Sequence, residues 1–220
     1  MHFLLIHSPL VGPAAWRFVA DQLGALGHQA AVPDLRSASA RGDPHAFLAE
    51  AQATIDGGAD VVAGHSGAGQ FLPSIGASAG ARLRRLVFVD AGVPACVGSA
   101  GADDDFMAWA RTLAVDGVLP PWSTWWDEGV MEYLIPDEHR RRLFEAELPA
   151  VPYAFYEAPV ELPEGWCGLP GAYVLLSEGY RRHLLTARSR GWPEVELRGA
   201  HLDLVNHPEA IATALVALAS

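Results

Sequence analysis

Val61–Gln70 reads VVAGHSGAGQ, two β-branched residues running into Gly64-His65-Ser66-Gly67-Ala68-Gly69. The polarity changes within three positions. That pattern fits a buried strand breaking sharply into a helix, with the glycines at 64 and 67 letting the turn tighten and neighbouring backbone approach closely. On such a turn Ser66 stands out as a candidate nucleophile. In an ordinary strand–helix connection it would be an N-cap serine instead. A match of six residues decides little alone, so the rest of the chain has to supply a base, an acid and a sheet.

Outward from this stretch, short apolar runs alternate with helical patterns. Strands are expected at 2–7, 29–33, 60–64, 85–90, 172–176 and 194–197. Helices are expected at 14–26, from Asp43-Pro44 through Ile55, from Gly67 to about Ala79, at 180–190, and over 207–218 begun at Pro208. Asp43 suits an N-cap and Pro44 the first helical position. Strands that are apolar throughout, with helices between them, predict an α/β fold: six mostly parallel strands covered by helices on both faces. The stretch 93–171 offers no comparable strand and carries five tryptophans and nine prolines. It reads as an inserted helical lid over the C-terminal edge of the sheet. The core is then 1–92 and 172–220, in a single domain overall.

At 220 residues the chain can bury roughly 70% of its unfolded surface. Half of it is apolar, and its mean hydropathy of +0.15 argues against disorder. The net charge is −11, and all 15 basic residues are arginine. Such a chain repels a phosphate backbone, which makes nucleic acid a poor partner. Cys96 and Cys167 are the only cysteines and give neither a disulfide framework nor a metal-ligand spacing. The opening MHFLLIHSPL turns polar too soon for a signal peptide, and no run approaches the roughly 20 apolar residues of a membrane span. A soluble, reducing, cytoplasmic setting is the expectation, and a homodimer stays open.

A serine hydroxyl needs a base to take its proton and a third group to orient that base. The base should follow the last strand, where Arg198–Ala210 reads RGAHLDLVNHPEA. His201 lies in the Gly-Ala-His turn, whereas His207 fits a solvent-side helix start. Two acids satisfy the chain order Ser…Asp/Glu…His: Asp90, ending the strand after Ser66, and Glu178, just past the fifth strand. Asp90 is the better candidate, being shorter and emerging from an apolar strand.

Nearly the whole chain resembles an α/β-hydrolase, through LLIHSP (4–9), GHSGAG (64–69) and GAHLDLVNHPEA (199–210). GPAAWRFVADQLGALGHQAAVPDLR (12–36) is similar to the first helix and second strand of the plant methylesterase and hydroxynitrile lyase branch. The resemblance implies Ser66 as nucleophile, His201 as base and the Gly67 amide as one oxyanion donor. It places the usual acid at Gly179, beside Glu178, while some haloalkane dehalogenases carry the acid earlier, at the position of Asp90. It also implies a second oxyanion donor in the loop after the first strand. That position falls on Pro9, which has no N–H. The Ser8 hydroxyl or Leu10 would have to substitute, or the chemistry would develop less charge on oxygen.

Ligands of open α/β sheets bind outside the carboxyl ends of the strands, under the expected lid. LPPWSTWW (119–126) brings Trp122, Trp125 and Trp126 together, as a rigid apolar pocket wall or as lid core. Asp103–Asp105 suit a helix cap, and Arg140–Arg142 a solvated helix face. Nothing in the sequence points to a metal or an organic cofactor. The expectation is a serine hydrolase acting on a small apolar ester or thioester. A lyase using the same residues for elimination, and a silent small-molecule binder, are the alternatives.

Overall fold

Six strands form one parallel sheet: β1 (His2–Ile6), β2 (Gln29–Ala31), β3 (Val61–Ser66), β4 (Arg85–Ala91), β5 (Gly171–Leu175) and β6 (Glu194–Glu196). The computed structural model describes residues 1–55 and 58–220 in full. The spatial order is β2-β1-β3-β4-β5-β6, all neighbours parallel. The order reverses between β1 and β3, and the crevice beyond the carboxyl ends of those two strands is where such sheets bind ligands.

Alternation along the strands explains their continuous apolar runs. Phe3, Leu5, Val61, Ala63, Val87, Val89 and Val174 face one core, filled by Trp16, Val19 and Leu23 of helix α1 (Ala14–Ala25) and by residues near the C-terminus. Leu4, Ile6, Val62, Leu86, Phe88 and Leu175 face the other. Burying both faces removes the polar positions that a half-exposed strand would show.

The second core is covered by helices that match the expectation with two differences. Helix α2 (Arg36–Ala40), five residues of small and polar character, is too short to show a period in sequence. Helix α3 (Pro44–Ala53) follows, capped by the Asp43 side chain accepting from Ala46 N–H. The helix expected from Gly67 is split into a 3-10 turn, Gly67–Gln70, and α4 (Leu72–Ala79). Pro73 accounts for the break, since a ring without an N–H belongs in a helix's first turn.

Residues 93–171 carry α5 (Asp104–Leu113), α6 (Val130–Leu134), α7 (Glu138–Glu145), α8 (Ala154–Glu157) and two-residue antiparallel ladders at Ser99–Ala100/Val160–Glu161 and Val118–Leu119/Val151–Pro152. The chain closes with α9 (Arg181–Ser189), α10 (Asp203–Asn206) and α11 (Pro208–Ala219). The expectation of no disulfide framework is corrected: Cys96 and Cys167 are joined in a disulfide spanning 71 residues. Only two cysteines, that far apart, leave no spacing from which to read a pairing. Beside the bond, Trp166 is buried and its indole N–H donates to the Ala95 carbonyl at 2.9 Å, so both ends of the inserted segment are held together. Among the described residues no helix is long and apolar enough to cross a membrane.

Candidate active site

Ser66 ends β3 with φ 57° and ψ −125°, a left-handed conformation that a non-glycine residue adopts only when its surroundings impose it. The β3–β4 ladder pairs His65 with Val89 but Ser66 with Ala91, so Asp90 is an extra residue bulged out of register. Asp90 is also left-handed, at φ 43°. One irregularity therefore turns both candidate side chains, Ser66 and Asp90, at the same edge. Gly69 is required there: a Cβ at that position would lie 2.1 Å from the Gly92 carbonyl oxygen.

His201 Nδ1 lies 2.8 Å from Asp90 Oδ2. The carboxylate is fully buried and accepts three further bonds: Leu176 N–H (2.9 Å) and Ser177 N–H (3.0 Å) on Oδ1, and the Ser177 hydroxyl (2.5 Å) on Oδ2. Burial pushes the carboxyl up, but the hydrogen bonds and the adjacent imidazole outweigh it and hold Asp90 below the ordinary carboxylate range. An ionised Asp90 makes His201 Nδ1 the donor and leaves Nε2 as the free base nitrogen. The His201 turn is held by Asp203, whose carboxylate accepts from Ala200 N–H at 3.0 Å. It is also held by His65, whose Nε2–H donates to the His201 carbonyl at 2.9 Å. Burial lowers His65 to about 3, which keeps it neutral as this donor role requires.

Facing Ser66 across the crevice is the loop after β1. His7 is fully buried and lowered to about 4 by that burial. Its Nδ1–H donates to the Ser8 carbonyl (2.9 Å) and its Nε2 accepts from Leu35 N–H (3.1 Å), which pins the loop. Ser8 to Val11 close a turn through Val11 N–H to Ser8 O at 3.1 Å, with Pro9 at its second position. A Cβ on Gly67 would meet Ser8 Oγ at 3.1 Å and Pro9 Cδ at 3.4 Å. The hydroxyl of Ser8 and the ring of Pro9 thus form the wall opposite the Gly67 backbone. Leu10 N–H points at Ser8 Oγ over 3.5 Å, leaving that hydroxyl's own hydrogen free to donate.

Two cavities meet at Ser66. The larger, about 460 Å³, is walled by the strand-end residues Gly92–Ala95, by Ala100–Asp103, and by Phe106, Tyr156 and Tyr180. The smaller, about 30 Å³, is walled by Val11, Ala15, Trp122, Phe144 and His201. Of the three expected tryptophans only Trp122 reaches either one. Trp125 and Trp126 are corrections. They pack edge-on and tilted against Trp109, and Trp125 donates to the Pro120 carbonyl. The indoles pack on one another instead of on a pocket, and the Trp126 N–H is left buried without a partner among the described residues. Glu178 is a second correction. It is exposed and ion-paired with Arg181 at 2.6 Å, turned out by the 3-10 turn Glu178–Tyr180.

The residue that sequence reasoning passed over is Tyr180. Its hydroxyl lies 3.1 Å from Ser66 Oγ, and its ring stacks on His201, 4.9 Å between centroids and 3° from parallel. No spacing in the sequence pairs positions 66 and 180. Among the described residues no group of His, Cys, Asp and Glu side chains is arranged to hold a metal ion.

No protein-family model matches the chain, and no curated protein does. Solved structures do. An extracellular alpha/beta-hydrolase from a Paenibacillus species aligns with a TM-score of 0.75 at 18% identity, covering 99% of this chain and 98% of that one; it is described as sharing structural and functional homology with tobacco salicylic acid binding protein 2. Polyneuridine aldehyde esterase aligns at 0.73 and 17%, covering 100% and 99%. Tomato methylketone synthase I, solved with 2-tridecanone, aligns at 0.75 and 14%, covering 99% and 97%. The chain has the α/β-hydrolase fold.

Proposed function

We propose that this chain is a serine esterase in which Ser66 attacks a carboxylic ester or thioester, His201 takes the proton and Asp90 orients the imidazole. The observation that carries the reading is the strained Ser66 turn beside the bonded pair of buried Asp90 and part-exposed His201, at a crevice opening into a cavity of about 460 Å³. Similarity in fold to esterases supports it without deciding the substrate.

Ser66 Oγ bonds to the acyl carbon as its proton passes to His201 Nε2, and the carbonyl electron pair collects on oxygen against Gly67 N–H and the Ser8 hydroxyl. Collapse expels the alcohol or thiol, which takes the proton back from His201. Water deprotonated by His201 then releases the acid. Because His201 must reach the leaving group, that group belongs on the side of the small cavity, and the acyl part in the large one. Their sizes favour an acyl portion much bulkier than its alcohol. The inserted segment 93–171 acts as the lid, since its first residues wall the larger cavity. The disulfide favours an oxidising compartment over the cytoplasm, as for the extracellular Paenibacillus protein of the same fold.

One observation favours a second reading. Pro9 leaves the loop one N–H short, which suits a proton-transfer or elimination step with little charge on oxygen.

Intact-mass analysis after incubation with a fluorophosphonate, run beside Ser66→Ala, tests the proposal. One adduct per chain, lost in the variant, is expected. A folded protein that takes no adduct and cleaves no p-nitrophenyl ester would overturn hydrolysis and leave elimination or silent binding.

A further inference from the structure

We infer that the Tyr180 phenol is a catalytic hydrogen-bond donor to the oxyanion, replacing the backbone N–H that Pro9 cannot supply. The inference rests on the esterase reading and deepens it. In the resting site Ser66 Oγ is bonded to Tyr180, 3.1 Å away, and among the described residues no hydrogen bond joins Ser66 to His201. Tyr180 also walls the larger cavity, the one that the esterase reading gives to the acyl group. A carbonyl oxygen arriving beside Ser66 therefore meets this hydroxyl, takes over its hydrogen bond and releases Ser66 to turn toward His201.

Three features make the phenol fit for that task. Burial pushes it up to about 12, so it keeps its hydrogen at any working pH. Its ring is fixed flat against His201. Its backbone lies in the turn directly after Ser177, which is itself bonded to Asp90, so the donor, the base and the acid share one rigid support. As Ser66 Oγ bonds to carbon, the carbonyl π pair moves to oxygen. The phenol donates a hydrogen bond to that oxygen and transfers no proton, so the donor needs no resetting when the tetrahedral species collapses. Ser8 Oγ and Gly67 N–H complete a hole made of two hydroxyls and one amide.

The distinguishing variant is Tyr180→Phe, which keeps the ring on His201 and removes only the oxygen. Expected is a fall in kcat/KM for p-nitrophenyl butyrate of about 100-fold with KM little changed, matched by a similar loss of affinity for butaneboronic acid, whose adduct on Ser66 is tetrahedral. The melting temperature should stay near that of the unaltered protein. Activity that is unchanged or raised, with boronate affinity intact, would overturn the inference: it would mean that the phenol only restrains Ser66. Should the Phe variant melt early, 3-fluorotyrosine at position 180 acidifies the phenol without changing its shape. A more acidic phenol is a stronger donor, so affinity for the boronate must then rise, and an unchanged affinity counts against the donor role. If the unaltered protein binds no boronate and takes no fluorophosphonate, the esterase reading itself fails and this inference with it, a result separable from loss in Tyr180→Phe alone.

Discussion

Asp90 Oδ2 lies 2.8 Å from His201 Nδ1, and the carboxylate reaches it from a bulge at the end of β4 rather than from the loop after β5. Glu178, which does follow β5, points to solvent and pairs with Arg181. Asp90→Asn should therefore lower kcat by about 10⁴-fold, because an amide at this position stabilises the wrong imidazole tautomer. Glu178→Gln should leave kcat within about threefold, since an exposed ion pair contributes little. Steady-state kinetics on one p-nitrophenyl ester decide between them. Equal, mild losses from both would remove the orienting acid from the scheme.

Ser8 and Pro9 invite a paired test. Ser8→Ala removes a hydroxyl whose hydrogen is free to face the Gly67 backbone, and kcat/KM should fall by about 10- to 100-fold. Adding Pro9→Ala restores a backbone N–H to the same wall and should recover part of that loss. A double variant no better than Ser8→Ala alone would show that the position of Pro9 does not face the oxyanion.

How much of this was readable in advance depends on how local each cause is. The four inner strands and the parallel sheet are legible because burial on both faces leaves apolar runs such as Leu4–Ile6 and Val87–Val89, whereas the edge strands Gln29–Ala31 and Glu194–Glu196 are partly exposed. Ser66 and His201 are legible because a tight turn and a strand end each leave a short signature. Asp90 over Glu178 is legible only in part, since the bulge that aims Asp90 exists in the pairing of two strands and not in either alone. The contact of Tyr180 with Ser66 spans 114 residues, and the Cys96–Cys167 bond spans 71; no pattern of spacing carries such pairings. The tryptophans misled because side-chain size predicts burial but not which surface is buried against.

The disulfide ties the two ends of the segment that walls the larger cavity. Closing a loop of this length restricts the unfolded chain and should stabilise the protein by roughly 4 kcal/mol. Cys96→Ser with Cys167→Ser, or full reduction, should lower the Tm by about 10 °C. Differential scanning calorimetry with and without reductant reads this directly. A Tm indifferent to reductant would mean that the two thiols are not joined in the folded protein.

His7 and His65 are buried and neutral, lowered by desolvation to about 4 and about 3, each spending its N–H on a carbonyl of the site. In the unfolded chain both would titrate near the ordinary value of about 6.5. Between those values the unfolded state binds more protons than the folded one, so stability falls as pH drops. The contribution is fully present above about pH 6.5. Below it, each histidine costs up to roughly 1.4 kcal/mol per pH unit until its folded form protonates. Urea unfolding followed from pH 8 to pH 5 should show a flat region and then a steep decline, with the steepness reduced in a variant lacking one of the two imidazoles. Stability that stays level from pH 7 to pH 5 would mean that these rings are not held neutral, and that the Ser8 loop and the His201 turn depend on other supports.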